Sequence, residues 1–241
     1  MRLIKPCQIL KYSKCPKRSL MSWDAQEPPM SFEHTVITNI IKCAHMYRTQ
    51  KGRPAWWRWI RSFAERYYQD AMVDPAVPQP TEYKTYVSLL QSMYPWYQKI
   101  YHIEYPDEAI VNIPIWLQLG SDCVYNDTIP LIILGKEITI IDFKEVDRAE
   151  EASTISLYND LTAHVRMWGF KQAAQVNPTR YARLFLHGQY ITHQSIRITQ
   201  NTLENASKIC KHILTGMKEK VFYPSFSEQC INCPFNQGCT I

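Results

Sequence analysis

The chain reads as an α/β protein built around a mixed sheet, and three observations carry that reading. The first half has helical spacing, with Val36, Ile37, Ile40, Ile41, Ala44 and Tyr47 recurring on one stripe. The middle is a succession of short segments rich in Ile, Val and aromatic residues, separated by turn residues. Helical patterning then resumes, interrupted by a strand-like "SIRIT". An order of helices, meander, helix, strand and helix suits helices packed on one sheet. A length of 241 residues suits a single domain, 1–241, with a sizeable core.

Residues 1–30 contain Cys7, Cys15 and the Pro28-Pro29 break, which predict a short basic helix running into a loop. Residues 31–100 form a helical region. One helix starts near Ser31, and a second opens after "KGRP", where Pro54 suits a first helical turn, and runs to about Asp70. A third covers Glu82 to Ile100, beyond the Pro-rich "VDPAVPQPT". Strands are then expected in "YHIEY", "AIVNIPIWLQLGSDCVYN", "IPLIIL" and "EITIIDF", with turns at "PDE", "ND" and "GK". Helices follow over about Glu150 to Gly169 and over "TLENASKICKHILTGMKEKV".

The formal charge is +5, and basic residues gather early: Lys11, Lys14, Lys17 and Arg18, then Arg48, Lys51, Arg53, Arg58, Arg61 and Arg66. Such a field favours a polyanionic partner. The longest apolar runs fall short of the roughly 20 residues of a membrane span, and "MRLIKPCQILKYSK" lacks the apolar core of a secretory signal. The expectation is a cytoplasmic protein with no membrane partner, whose eight cysteines are reduced thiols or metal ligands.

The stretch "ITIIDFKEV" begins as a buried strand and then places an acid and a base in the apolar run. Alternation puts Asp142 and Lys144 on one face, roughly 7 Å apart, and Ile141 and Phe143 on the other. A charge buried there needs water, an ion pair or a metal. Asp122, beside Gly120 in "LQLGSDCVYN", lies 20 residues earlier on a neighbouring strand. Carboxylates meeting at one sheet edge are what hard divalent cations require for two-metal phosphodiester chemistry, with Lys144 aimed at the same site. A solvated strand end with a plain ion pair gives the same sequence.

The chain closes with "FYPSFSEQCINCPFNQGCTI", spaced C-x2-C-x5-C over Cys230, Cys233 and Cys239. Three such thiolates can grip one metal centre and need a fourth from elsewhere, for which the N-terminal region offers Cys15 in "KYSKCPKRSL" and Cys7 eight residues before it. Cys₄ zinc and an iron-sulfur cluster both accept this set. Cys43, Cys123 and Cys210 lie in apolar patterns and are expected in the core.

The stretch "RPAWWRWIRSFAERYYQD" interleaves Trp56, Trp57 and Trp59 with Arg58, Arg61 and Arg66, the mix that holds single-stranded nucleic acid. Trp56, Trp59, Ile60, Phe63 and Tyr67 share one helical face and are assigned to the core. Arg58 and Arg61 are left as the DNA contacts.

Asp122 followed by "IDFK" resembles the PD-(D/E)XK nuclease core. Together with the cysteines, the chain is similar to the RecB-like iron-sulfur branch, which includes the AddB nuclease domain and the small CRISPR-associated exonucleases. The resemblance spans nearly the whole chain, from "CPKRS" through "GSD" and "IDFK" to the last cysteine. It implies a restriction-endonuclease-like α/β fold, a mixed central sheet flanked by helices, with 101–221 as the nuclease core. Residues 1–30 and 222–241 would form a clasp joined by a [4Fe-4S] cluster on Cys15, Cys230, Cys233 and Cys239.

It further implies a Mg²⁺- or Mn²⁺-dependent deoxyribonuclease, an exonuclease on single strands or DNA ends. Asp122, Asp142 and Lys144 would be catalytic. Asp122, Asp142, the Phe143 carbonyl and His34 would hold the ion, and Tyr158 would contact DNA. Partners would be DNA and helicase, recombination or CRISPR adaptation machinery, in a bacterial, archaeal or viral DNA-processing setting. Two features depart from the family pattern: no Gly precedes His34, and Gln-x-x-x-Tyr is absent from "TISLYNDLTAHVRMWGF". A catalytically silent DNA-binding or scaffold subunit is the alternative these departures leave open.

Overall fold

The computed structural model describes residues 2–16, 31–52, 55–73, 83–84, 87–88, 90–91, 93–95, 98, 108–118, 123–146, 156–187 and 190–221. In chain order the elements are β1 (Arg2–Ile4), α1 (Pro6–Lys14), α2 (Phe32–Lys51), α3 (Trp57–Val73), β2 (Glu108–Gln118), β3 (Cys123–Leu134), β4 (Ile138–Glu145), α4 (Leu161–Ala174), β5 (Arg180–His187), β6 (Tyr190–Arg197) and α5 (Gln200–Lys218). The described parts of 83–98 are helical too.

The sheet is mixed and six-stranded. β3 bonds to three strands, antiparallel to β2 along one edge and to β4 on the other, where β1 also joins the start of β3 in parallel. β4 pairs with β5 in parallel through the α4 crossover, and β6 closes the order antiparallel to β5. Helices cover both faces. α2 and α3 bury Val36, Ile37, Ile40, Ile41, Ile60 and Ala64 against Leu131, Ile133, Ile141, Phe143, Leu184 and Leu186. α1, α4 and α5 bury Ile9, Val165, Met167, Leu203, Ala206 and Cys210 against Tyr125, Ile129, Ile132, Ile140, Tyr181 and Phe185. The α/β architecture with a helix-flanked mixed sheet is therefore as the sequence predicts.

Four local features differ from the sequence reading. The chain opens on a three-residue strand ahead of α1. Asn126 and Asp127, expected in a turn, lie inside β3, which runs unbroken from Cys123 to Leu134. The alternation of faces breaks within the β2–β3 ladder instead. Ala109, Val111, Leu131 and Ile133 join the α2–α3 side, while Ile113, Ile115, Leu117, Tyr125 and Ile129 join the other. The change falls at Asn112, whose φ of 52° is left-handed, and at Pro130, which donates no ladder hydrogen bond.

β5 has no counterpart among the predicted strands because Arg180 and Arg183 interrupt its apolar pattern. Finally, α4 begins at Leu161, later than the expected Glu150, because Asp160 caps it by accepting from the Ala163 amide. Among the described residues no helix is long and apolar enough to cross a membrane.

Candidate active site

Asp142 stands in β4 directly opposite Arg183 of β5. Its neighbours Ile141 and Phe143 pack under α2 and α3, so the carboxylate enters the layer beneath α4. It is buried to 2% exposure, and both oxygens are engaged. Oδ2 accepts from Arg183 Nε at 2.9 Å and from the Tyr181 hydroxyl at 2.8 Å. Oδ1 accepts from the Phe143 amide at 2.8 Å and from Arg166 of α4.

Each arginine reaches a second acid. Arg183, 1% exposed, donates to Asp160 at 2.7 and 3.1 Å. Arg166 extends its Nε to Asp127 Oδ2 at 3.4 Å. Asp127 also accepts from the Tyr125 hydroxyl at 3.1 Å and from the Thr128 amide at 2.7 Å. Three carboxylates thus share two guanidiniums, leaving one net negative charge within the set.

The electrostatics follow from burial working against pairing. Burial pushes the Asp160 carboxyl up, but the Arg183 hydrogen bonds and charge outweigh it and hold the group below the usual value. Burial raises the Tyr181 and Tyr125 hydroxyls, so both act as neutral donors at neutral pH. Burial opposes the charge on Arg183, and Tyr181 and Asp160 more than offset it. Lys144 is half-buried at the same strand end, and its charge also helps hold Asp160 down.

The predicted residues divide into three groups. Asp142 and Lys144 stand on the strand end as expected, but Asp142 meets arginines. Asp122, Cys230, Cys233 and Cys239 lie outside the described residues, as do the side chains of His34 and Cys123. Cys15 is half-buried just past α1, and three residues before it the Tyr12 hydroxyl donates to the Val221 carbonyl at 2.6 Å. The α1 end and the start of the C-terminal segment therefore meet. Cys210 is core as expected, its thiol pushed up to about 12 by burial, whereas Cys43 is half-buried.

On α3, Trp59, Phe63 and Tyr67 pack as predicted, but Trp56 is 64% exposed because it precedes the first helical turn. Arg58 is exposed, and Arg61 pairs with Glu65 at 2.9 Å. Tyr158 is 55% exposed in the turn leading to α4.

Asp127 is the residue the sequence reading missed. Its spacing, 15 residues before Asp142 across the "GK" turn, points to it, and the turn signal of "ND" masks it. Asp127 and Asp142 face the same layer, and Arg166 reaches both. Among the described residues no group of three His, Cys, Asp or Glu side chains is arranged to hold a metal ion. The donor set nevertheless has the chemistry a divalent cation takes: two carboxylates on adjacent central strands that already share one cationic group.

No family model matches the chain, and no curated protein matches it. Among solved structures, the chain is similar to a "Putative exonuclease" from Eubacterium rectale at 11% identity and a TM-score of 0.53, covering 99% of this chain and 89% of that one. It also aligns with the protein SSO0001 at 9% identity and a TM-score of 0.44, covering 98% of this chain and 85% of that one. The Eubacterium rectale likeness extends over almost the whole chain, and what it establishes is a common fold.

Proposed function

We propose that the chain is a metal-dependent DNA nuclease of the PD-(D/E)XK kind, acting on single-stranded DNA or DNA ends. One observation carries the reading: Asp127 and Asp142 converge on the same layer beside the Asp142-x-Lys144 strand end. The fold shared with a protein named as an exonuclease supports the reaction class.

In this reading Asp127 and Asp142 hold Mg²⁺ or Mn²⁺, with Asp122, which lies outside the described residues, and the Phe143 carbonyl as further proposed ligands. When bound, the ion supplies Lewis acidity and a more acidic water. Lys144 orients the attacking water and offsets the charge developing on the phosphate. Arg58 and Tyr158, both exposed, are the proposed DNA contacts. Cys15, Cys230, Cys233 and Cys239 carry a [4Fe-4S] cluster, or zinc in its place, as a clasp. The Tyr12–Val221 hydrogen bond supports this, since it ties Val221, nine residues before Cys230 in sequence, to α1, whose last residue precedes Cys15.

The test is cleavage of labelled single-stranded DNA with Mn²⁺. Wild-type activity that is lost in both Asp142→Ala and Asp127→Ala supports the site, and activity unchanged in either variant removes that residue from it. Iron analysis tests the clasp: a brown protein that loses its iron in Cys15→Ser supports the cluster, and a colourless zinc protein excludes it.

A second reading has its own observation. Asp142 is paired with two arginines and nearly inaccessible, which favours a catalytically silent DNA-binding or scaffold subunit. Tight DNA binding without cleavage by any divalent ion would select it.

A further inference from the structure

We infer that Arg166 is a built-in latch on the acidic pair: its guanidinium occupies the cation position between Asp127 and Asp142, and a divalent ion binds by displacing it. This rests on the nuclease reading and specifies how the site is kept closed.

The two arginines of the network are not equivalent. Arg183 is 1% exposed on a central strand, and its Nε and both terminal nitrogens are committed to Asp142, Asp160 and Tyr181. Removing it would strand two acids. Arg166 projects from α4 with its side chain 17% exposed, so it has a route to water. Of its contacts, one goes to Asp127 Oδ2 and the other to Asp142 Oδ1. When Arg166 withdraws, Asp142 keeps Arg183, Tyr181 and the Phe143 amide, and Asp127 keeps Tyr125 and the Thr128 amide. Every fixed partner stays in place while the two oxygens facing each other across Arg166 lose their shared cation.

With Lys144 counted beside the two arginines, the three carboxylates are balanced while Arg166 is in place and retain one net negative charge when it withdraws, which draws a cation to the vacated position. Arg166 and the ion therefore compete for the same oxygens, and the apparent affinity for the ion is lowered by the fraction of molecules that are latched.

Mn²⁺ binding followed by electron paramagnetic resonance, without DNA, tests this on wild type, Arg166→Gln, Arg166→Lys and Asp142→Asn/Arg166→Gln. Arg166→Gln is expected to bind Mn²⁺ at least about tenfold more tightly, the factor that an open state populated to about 10% or less implies. Arg166→Lys should fall between, and the double variant should lose the gain. Equal Mn²⁺ affinity in wild type and Arg166→Gln overturns the latch and leaves the nuclease reading standing. No Mn²⁺ binding by either overturns both. Should Arg166→Gln fold only when Mn²⁺ is supplied, the metal is filling the cation position and the latch is supported. Should it fail to fold even then, Arg166→Lys decides by binding more tightly than wild type or not.

Discussion

Replacing Arg183 with Met would remove the fixed cation of the network and leave its shape roughly filled. Arg183 is 1% exposed, and its partners Asp142 and Asp160 have side-chain exposures of 3% and 13%. Breaking a buried pair by removing one partner costs about 3–5 kcal/mol, because the other charge stays behind. Asp142 retains Arg166, Tyr181 and the Phe143 amide, and Asp160 retains the Ala163 amide and the nearby charge of Lys144. The lower end applies, about 3 kcal/mol. For a chain of this size each kcal/mol moves Tm by about 2–4 °C, so thermal melts should fall by roughly 6–12 °C.

The pH dependence carries a sign. The Asp160 carboxyl is held below its usual value in the fold, so its contribution is full above the ordinary carboxylate range and is lost as pH falls through the folded value. The gap between wild type and Arg183→Met should therefore narrow on acidification. Asp142→Asn added to Arg183→Met should restore part of the loss, because a neutral amide replaces the stranded charge. Melts of Arg183→Met within about 1 kcal/mol of wild type, or a gap that does not change with pH, would refute the reasoning.

Three further outcomes are expected. His45 is fully buried, and burial with the nearby Arg48 charge lowers its imidazole to about 3. Its contribution is complete above about 6.5 and shrinks as pH falls, by about 1.4 kcal/mol at pH 5.5. Urea unfolding of His45→Phe should accordingly lose that much of the acid slope. At Gly216 a Cβ would lie 2.4 Å from the Tyr12 hydroxyl, so Gly216→Ala should cost about 1–3 kcal/mol by displacing Tyr12 from Val221. Adding Tyr12→Phe should recover part of that cost, read by Tm. Asp160→Ala loses both the α4 cap and an Arg183 partner, and should destabilise by more than the about 1 kcal/mol of a cap alone, measured by denaturant midpoint.

How much of this was legible depended on sequence distance. The α/β class followed from periodicity because the stripe on α2 and the apolar face of β4 are local patterns. The strand end was legible too, since an acid in an apolar run must find a partner. Which partner it found was not. Arg183 lies 41 residues from Asp142 and Arg166 lies 24, on a strand and a helix whose pairing only the fold creates. Those same buried charges disguised β5, because an inward arginine breaks alternation as a loop would.

Asp127 was hidden for the opposite reason. A short-range turn signal at Asn126-Asp127 lost to tertiary pairing along the whole of β2. Asp127, the acid that the turn signal hid, therefore joins Asp142. With β3 continuous, Asp127 faces the layer that Asp142 enters, and the acid pair spans two adjacent strands. Whether that pair serves a metal turns on the difference in confinement between its two arginines. A guanidinium sealed at 1% exposure is part of the architecture, while one at 17% on a helix surface can leave. In the proposed latch, Arg166 at the edge of solvent keeps the acids closed at rest and lets a competing cation reach them.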